Sequence, residues 1–178
     1  MKVENTILDG VKVIYPKLHR DERGYFLETF QSSRYQDLLQ IDHTFVQDNH
    51  SHSIRHVLRG LHFQRDNPQG KLVRAISGSV LDIVVDIQPT SNTFGQWIST
   101  LLSSEKCNQL WIPPGFAHGF ITLSQTADIE YKCTRAYDAN DEGCLAWNDP
   151  QLNINWPVAT PKLSTKDRQG LPLSKLNL

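Results

Sequence analysis

No stretch of this sequence stays apolar for the roughly 18 residues a membrane-crossing helix requires. The first ten residues, MKVENTILDG, also lack the continuous apolar segment of a secretory signal. The expectation is a protein that does not enter the membrane and stays in the cytoplasm. Charge of one sign is missing as well. Lys and Arg number 18 against 19 Asp and Glu, a formal net charge of −1. Nucleic acid and anionic membrane surfaces therefore find no broad electrostatic footprint, and an anionic ligand must be met by a few placed arginines and lysines. Cysteine is scarce: Cys107, Cys133 and Cys144 are unevenly spaced and form no CxxC pair, which excludes a disulfide framework and points to reduced thiols. Internal repeats, low-complexity tracts and an interdomain linker are absent too. With 178 residues, 39% of them hydrophobic, the chain reads as one domain over residues 1–178 with a sizeable core.

What is present is a series of short β-type runs: VKVIY (11–15), YFLETF (25–30), FVQDN (45–49), VLRGLHFQ (57–64), KLVRAI (71–76), VLDIVVDI (80–87), WISTLL (97–102), QLWI (109–112), FITL (120–123) and DIEYKCTRAY (128–137). Turn chemistry such as SGS, QPTSN and IPPG separates them. One short helix is expected over 32–40, SSRYQDLLQ, with Ser32 or Ser33 as its cap and Tyr35, Leu38 and Leu39 at helical spacing. Many short strands without helical crossovers predict a mainly all-β fold, an antiparallel sandwich or double-sheet jelly roll. The Pro-rich polar tail from Trp156 is expected to pack over the barrel.

Four of the seven histidines fall in one stretch, HSHSIRHVLRGLHFQ (50–64). His50 and His52 have the period-2 spacing that would aim two imidazoles from one strand face at a metal. The segment NHSHSIRH lacks apolar alternation, however, and reads as an exposed connection with solvated histidines. His62 differs, because Leu61 and Phe63 flank it; it is either a satisfied core histidine or a group facing a cavity. Small metal-binding barrels would place another histidine two residues on, where this chain has Gln64. Arg59 and His62 are three apart and on an unbroken strand would point to opposite faces. A bulge at Gly60 would return both to one cavity.

The succession LRGLHFQ, QGKLVRAISGSVLDIVVDI, FGQW, LWIPPGFAHGF, YKCT and LSTKD resembles the dTDP-4-dehydrorhamnose 3,5-epimerase family, in that order and over most of the chain. The resemblance implies a cupin-like jelly-roll homodimer. Such a protein inverts C3 and C5 of a dTDP-linked 4-keto-6-deoxyhexose through an enolate, in dTDP-rhamnose biosynthesis, with no cofactor and no metal. It further implies that His62 is the general base, Tyr131 the opposing acid, Asp167 the group orienting His62, and Lys71 the cation beside the C4 oxyanion. An imidazole with an ordinary pKa of about 6.5 suits a base, and a phenol near 10 suits a donor. Substrate contacts are implied for Arg23, Phe26, Glu28, Gln47, Asn49, Arg59, His118, Tyr137, Glu142 and Lys166. Read without the resemblance, Asp167 is a tail residue, Lys71 flanks a turn, and His118 follows the IPPGFA turn. Tyr131 and Tyr137, six apart, would share one face of an extended strand. Relatives often carry a second aromatic where this chain has Ala136. The alternatives are a single-carbon epimerase acting on a related nucleotide ketosugar, a noncatalytic sugar-nucleotide binding module, and a metal-dependent cupin oxygenase.

Overall fold

A computed structural model describes residues 1–178. It contains 13 strands, numbered in chain order, in two main sheets and a ribbon. The larger sheet runs in the order β1 (Lys2–Asn5), β2 (Lys12–Tyr15), β10 (Gln109–Ile112), β7 (Lys71–Ser77), β12 (Thr126–Cys133), β5 (Gln47–Ile54). The smaller runs β13 (Glu142–Cys144), β6 (Leu58–Gln64), β11 (Phe116–Thr122), β8 (Ser79–Asp86), β9 (Trp97–Ser103). The strands of both sheets pair antiparallel, giving a double-sheet jelly roll of the cupin-like kind. A separate ribbon pairs β3 (Leu18–Asp21) with β4 (Gly24–Leu27).

The apolar faces of the two sheets meet in a core that includes Val73, Leu110 and Ile129 from the larger and Val84, Leu102 and Phe120 from the smaller. Both outer faces are covered in part as well. Helix α1 (Ser32–Leu39) lays Tyr35 and Leu39 on Ile14, Leu72 and Trp111 of the larger sheet. The C-terminal segment presses Leu145, Leu152 and Leu173 onto Leu61, Ile83 and Val85 of the smaller. This accounts for the apolar runs on either side of Asp82 in β8, since a strand covered on both sides has no solvent-facing side on which polar residues alternate.

Three local expectations are corrected. The α1 cap is Gln31 rather than Ser32 or Ser33: its side-chain oxygen accepts from the Arg34 backbone N–H at 2.7 Å, and the Ser33 hydroxyl donates to that same oxygen. The segment holding His50 and His52 is a strand and not a connection. Along β5 the side chains Gln47, Asn49, Ser51 and Ser53 turn inward while Asp48, His50, His52 and Ile54 are exposed. The alternation is there, but its inner side is polar because it faces a polar cavity. Finally, β12 ends at Cys133, so Tyr137 lies beyond it and does not share a strand with Tyr131.

Gly60 creates the irregularity that parity required. Between the pairs His118↔His62 and Phe120↔Arg59, β11 contributes Gly119 alone against Gly60 and Leu61 on β6. The extra residue returns Arg59 and His62 to one cavity. Glycine is needed on both strands. Gly60 has φ +127°, and a Cβ there would stand 2.6 Å from the Gly119 Cα; a Cβ at Gly119 would stand 2.5 Å from the Arg59 carbonyl oxygen.

Candidate active site

A cavity of about 520 Å³ lies between the two sheets. Strands β5, β7 and β12 form one wall, β6, β11 and β13 the other, and the segment around α2 (Thr165–Arg168) closes the side. His62, Lys71, Tyr131 and Asp167 all line it, as do Gln47, Asn49, Arg59, His118, Tyr137, Glu142 and Lys166. Residues 105 apart in sequence meet here: His62 Nε2 stands 2.6 Å from Asp167 Oδ1. With Nε2–H donating to the carboxylate, the imidazole lone pair resides on Nδ1. Ser164 caps α2, accepting from the Asp167 N–H at 3.1 Å and donating its hydroxyl to Oδ2 at 2.7 Å. Both carboxylate oxygens are thus engaged and the side chain is fixed. Burial pushes the Asp167 carboxyl up, but the bonds from His62 and Ser164 outweigh it and hold the group below its ordinary value.

Lys71 opens β7. Desolvation lowers its pKa, and the opposing fields of Cys133, Glu142 and Asp82 recover only part of that loss. Tyr131 is shifted upward, first by burial and then by the Cys133 charge, so the phenol stays protonated at neutral pH. Arg59 is oriented by Nε donating to the Ser53 hydroxyl at 3.0 Å and Nη2 to the His52 carbonyl at 3.2 Å. At the rim Glu142 holds the Lys166 ammonium at 2.7 Å and accepts from the Tyr137 hydroxyl at 2.8 Å. The Tyr137 N–H donates to Gln47 at 2.8 Å, which positions that ring even though it stands outside β12.

His118 is a strand residue of β11, 7% exposed. Its Nε2 lies 2.9 Å from Oδ2 of Asp82, whose pKa burial raises against the lowering effect of His118. Asp82 escaped the sequence reading, although an acidic residue in the middle of VLDIVVDI is the signature of a buried, partnered carboxylate. Ser164 escaped it too, and the Ser-x-x-Asp spacing of a capping box was its signal. Three expected contacts stand apart from this cavity. Arg23 pairs with Asp21, Glu28 with Arg34, and Phe26 is 71% exposed on the β3–β4 ribbon. His50 and His52 also lie outside it, both bonded to Asp128.

The family model described as dTDP-4-dehydrorhamnose 3,5-epimerase matches residues 5–175. The dTDP-4-dehydrorhamnose 3,5-epimerase of Salmonella typhimurium is 50% identical over 169 residues, covering 94% of this chain and 92% of that one. The chain belongs to the dTDP-4-dehydrorhamnose 3,5-epimerase family. Among solved structures, the Legionella pneumophila dTDP-6-deoxy-D-glucose-3,5-epimerase in complex with dTDP-4-keto-L-rhamnose superposes with a TM-score of 0.96. It is 48% identical, and the match covers 99% of this chain and 94% of that one. A 3′-monoepimerase from Streptomyces bikiniensis in complex with dTDP-quinovose is more distant, at 30% identity and a TM-score of 0.89 over 95% of this chain and 86% of that one. The epimerase family thus includes at least one relative that is named for a single centre.

Proposed function

We infer that this protein epimerises C3 and C5 of dTDP-4-keto-6-deoxy-D-glucose, giving dTDP-4-keto-L-rhamnose in the cytoplasmic synthesis of dTDP-rhamnose. One observation carries the reading: an imidazole on a carboxylate leash, an ammonium and a protonated phenol line one cavity of about 520 Å³, within the size range of small-ligand sites. Both reacting carbons flank the C4 ketone. His62 Nδ1 takes the α-proton, the C–H electron pair moves into the enolate, and Tyr131 returns a proton to the opposite face of the same carbon. Tyr131 then recovers a proton from solvent as His62 releases one, and the cycle repeats at the second carbon.

Acidity decides what else is required. A ketone α-proton is weaker than imidazolium by on the order of 10 pK units, so removal runs uphill by roughly 14 kcal/mol unless the enolate is stabilised. Lys71 supplies that stabilisation as a preorganised cation beside the C4 oxygen. Asp167 keeps the imidazole in its Nδ1-basic tautomer and balances the imidazolium. Arg59 suits the diphosphate through its planar fork, and the Tyr137 ring offers a face for the base.

The β3–β4 ribbon leads to a second element of the proposal. Arg23 and Phe26 are far too exposed for residues that hold a nucleotide within their own chain, Tyr25 is 51% exposed beside them, and the half-buried Glu28 pairs with Arg34 instead of lining the cavity. The protein acts as a homodimer in which this ribbon completes the partner's cavity. The test of the activity is incubation with dTDP-4-keto-6-deoxyglucose in deuterated water under chelator, followed by proton NMR. Deuterium at both C3 and C5 with inversion is expected. Exchange at one centre alone would identify a monoepimerase, and binding without exchange would identify a noncatalytic module.

A further inference from the structure

Cys144 has no part in the chemistry above, yet it stands directly opposite His62 in the β13–β6 ladder. On antiparallel strands directly paired side chains project to the same face, which brings the thiol beside the His62–Asp167 pair. Its sulfur, a His62 ring nitrogen and an Asp167 oxygen all lie within 4.8 Å of one another. No other group of three such donors in the chain is drawn together this closely. Cys144 is partly exposed, burial pushes its thiol up to about 11, and its Sγ has only weak contacts at 3.9 and 4.0 Å with backbone oxygens.

We propose that Cys144, His62 and Asp167 form a binding site for a thiophilic divalent cation such as Zn²⁺, and that occupation of this site switches the epimerase off. The donor set is the borderline-soft combination of thiolate, imidazole and carboxylate that zinc accepts, with a fourth position left for water. Zinc bonds of about 2.0–2.3 Å set tetrahedral donors roughly 3.3–3.6 Å apart. From their present 2.6 Å, His62 and Asp167 would part by about 0.7–1.0 Å, and Cys144, within 4.8 Å of both, would close by up to about 1.5 Å.

Inhibition follows from which proton is where. The thiol proton leaves to solvent as the Zn–S bond forms. If the metal takes His62 Nε2, the ring's remaining proton moves to Nδ1, the nitrogen that must be bare to accept the α-proton. If the metal takes Nδ1, it blocks the lone pair directly. In either case the base is lost and Asp167 is drawn from its orienting role to the metal. The consequence for activity rests on the reading of His62 as the base, whereas the binding itself does not.

Two measurements separate those claims. Cobalt titration of the wild-type protein should give tetrahedral visible bands with a thiolate-to-cobalt charge-transfer band, and Cys144→Ala should lose the charge-transfer band while Cys107 and Cys133 remain. Epimerisation assayed against zinc, each protein relative to its own metal-free rate, should show wild type inhibited at a zinc concentration at least tenfold below that for Cys144→Ala, with full recovery in chelator. Cys144→Ser carries the same comparison if the alanine variant does not fold. A wild-type cobalt spectrum with no thiolate band, or equal zinc sensitivity with and without Cys144, overturns the site. A thiolate–cobalt band in a protein with no epimerase activity would leave the site standing and remove the enzyme reading instead.

Discussion

At the scale of single residues, the His62–Asp167 pair has consequences in both activity and stability. His62→Ala should lower kcat by on the order of 10³ or more and abolish deuterium incorporation at C3 and C5 together, because one base serves both. Tyr131→Phe should impair inversion more than exchange, since deprotonation survives the loss of the donor; product NMR separates the two. The Asp167 carboxyl is 3% exposed and held below its ordinary value. A depressed folded pKa means that its contribution to stability is complete above the unfolded value of about 3.9 and fades as pH falls through the folded one. Urea denaturation of wild type and Asp167→Asn should therefore differ by about 1–3 kcal/mol at neutral pH, with the gap closing in acid. Lys71 predicts the opposite limb. Burial lowers its pKa, so the ammonium deprotonates at a pH below the usual value of about 10.4. A kcat profile should fall on the alkaline side earlier than an exposed lysine would dictate, and Lys71→Met should lower kcat roughly 10²–10³-fold while abolishing that limb.

Among the elements, β6 carries the most. Its bulge exists because two glycines abut, Gly60 against Gly119, with no space for a Cβ on either side. Gly60→Ala meets both a φ of +127° and a 2.6 Å contact with backbone. It should cost at least about 2–3 kcal/mol and, in whatever fraction folds, reduce kcat by moving His62 relative to Arg59. Chemical denaturation and steady-state kinetics on the same preparation check both. Helix α1 offers a contrasting change. The Tyr35 hydroxyl donates to the buried Gln109 side chain at 2.8 Å, and burial pushes its pKa up to about 12. Tyr35→Phe orphans that acceptor and should cost about 1–2 kcal/mol with kcat unaltered, since α1 covers the outside of the larger sheet.

At the scale of the whole molecule, the exposed ribbon makes a prediction about assembly. If β3–β4 completes the partner's cavity, His62→Ala and Arg23→Ala are each inactive, but a mixed dimer contains one intact site, built from the unaltered His62 of one chain and the unaltered Arg23 of the other. Unfolding and refolding an equal mixture should recover about a quarter of wild-type activity by random pairing. No recovery, in a preparation that sedimentation shows to be dimeric, would confine the ribbon to its own chain.

The antiparallel fold class, ten of the 13 strands and the role of Gly60 were legible in the chain, because hydrophobic period and glycine placement are local properties, whereas β1, β3, β13 and the order of strands within the sheets were not. So was the gathering of His62, Lys71 and Tyr131, though there the motifs of a known family supplied what periodicity alone did not. Other features could not be seen locally. The inward side of β5 is polar, so a search for apolar alternation passed over a genuine strand. Asp82 and Ser164 matter only through His118 and Asp167, partners 36 and three residues away. Asp167 reads as a solvated tail residue until α2 is seen docked on β6.

By itself the sequence determined a β-sheet protein with its charge balanced, its thiols unpaired and its chemistry-bearing residues spread along most of the chain. Only the tertiary structure decided which of them share a cavity, which way the His62 imidazole is leashed, and that Cys144 lies against it. The physical reason is distance: propensity and period act over a few residues, whereas burial and pairing join positions as far apart as His62 and Asp167, and these, more than residue type, settle whether a side chain is a reactive group or a solvated one.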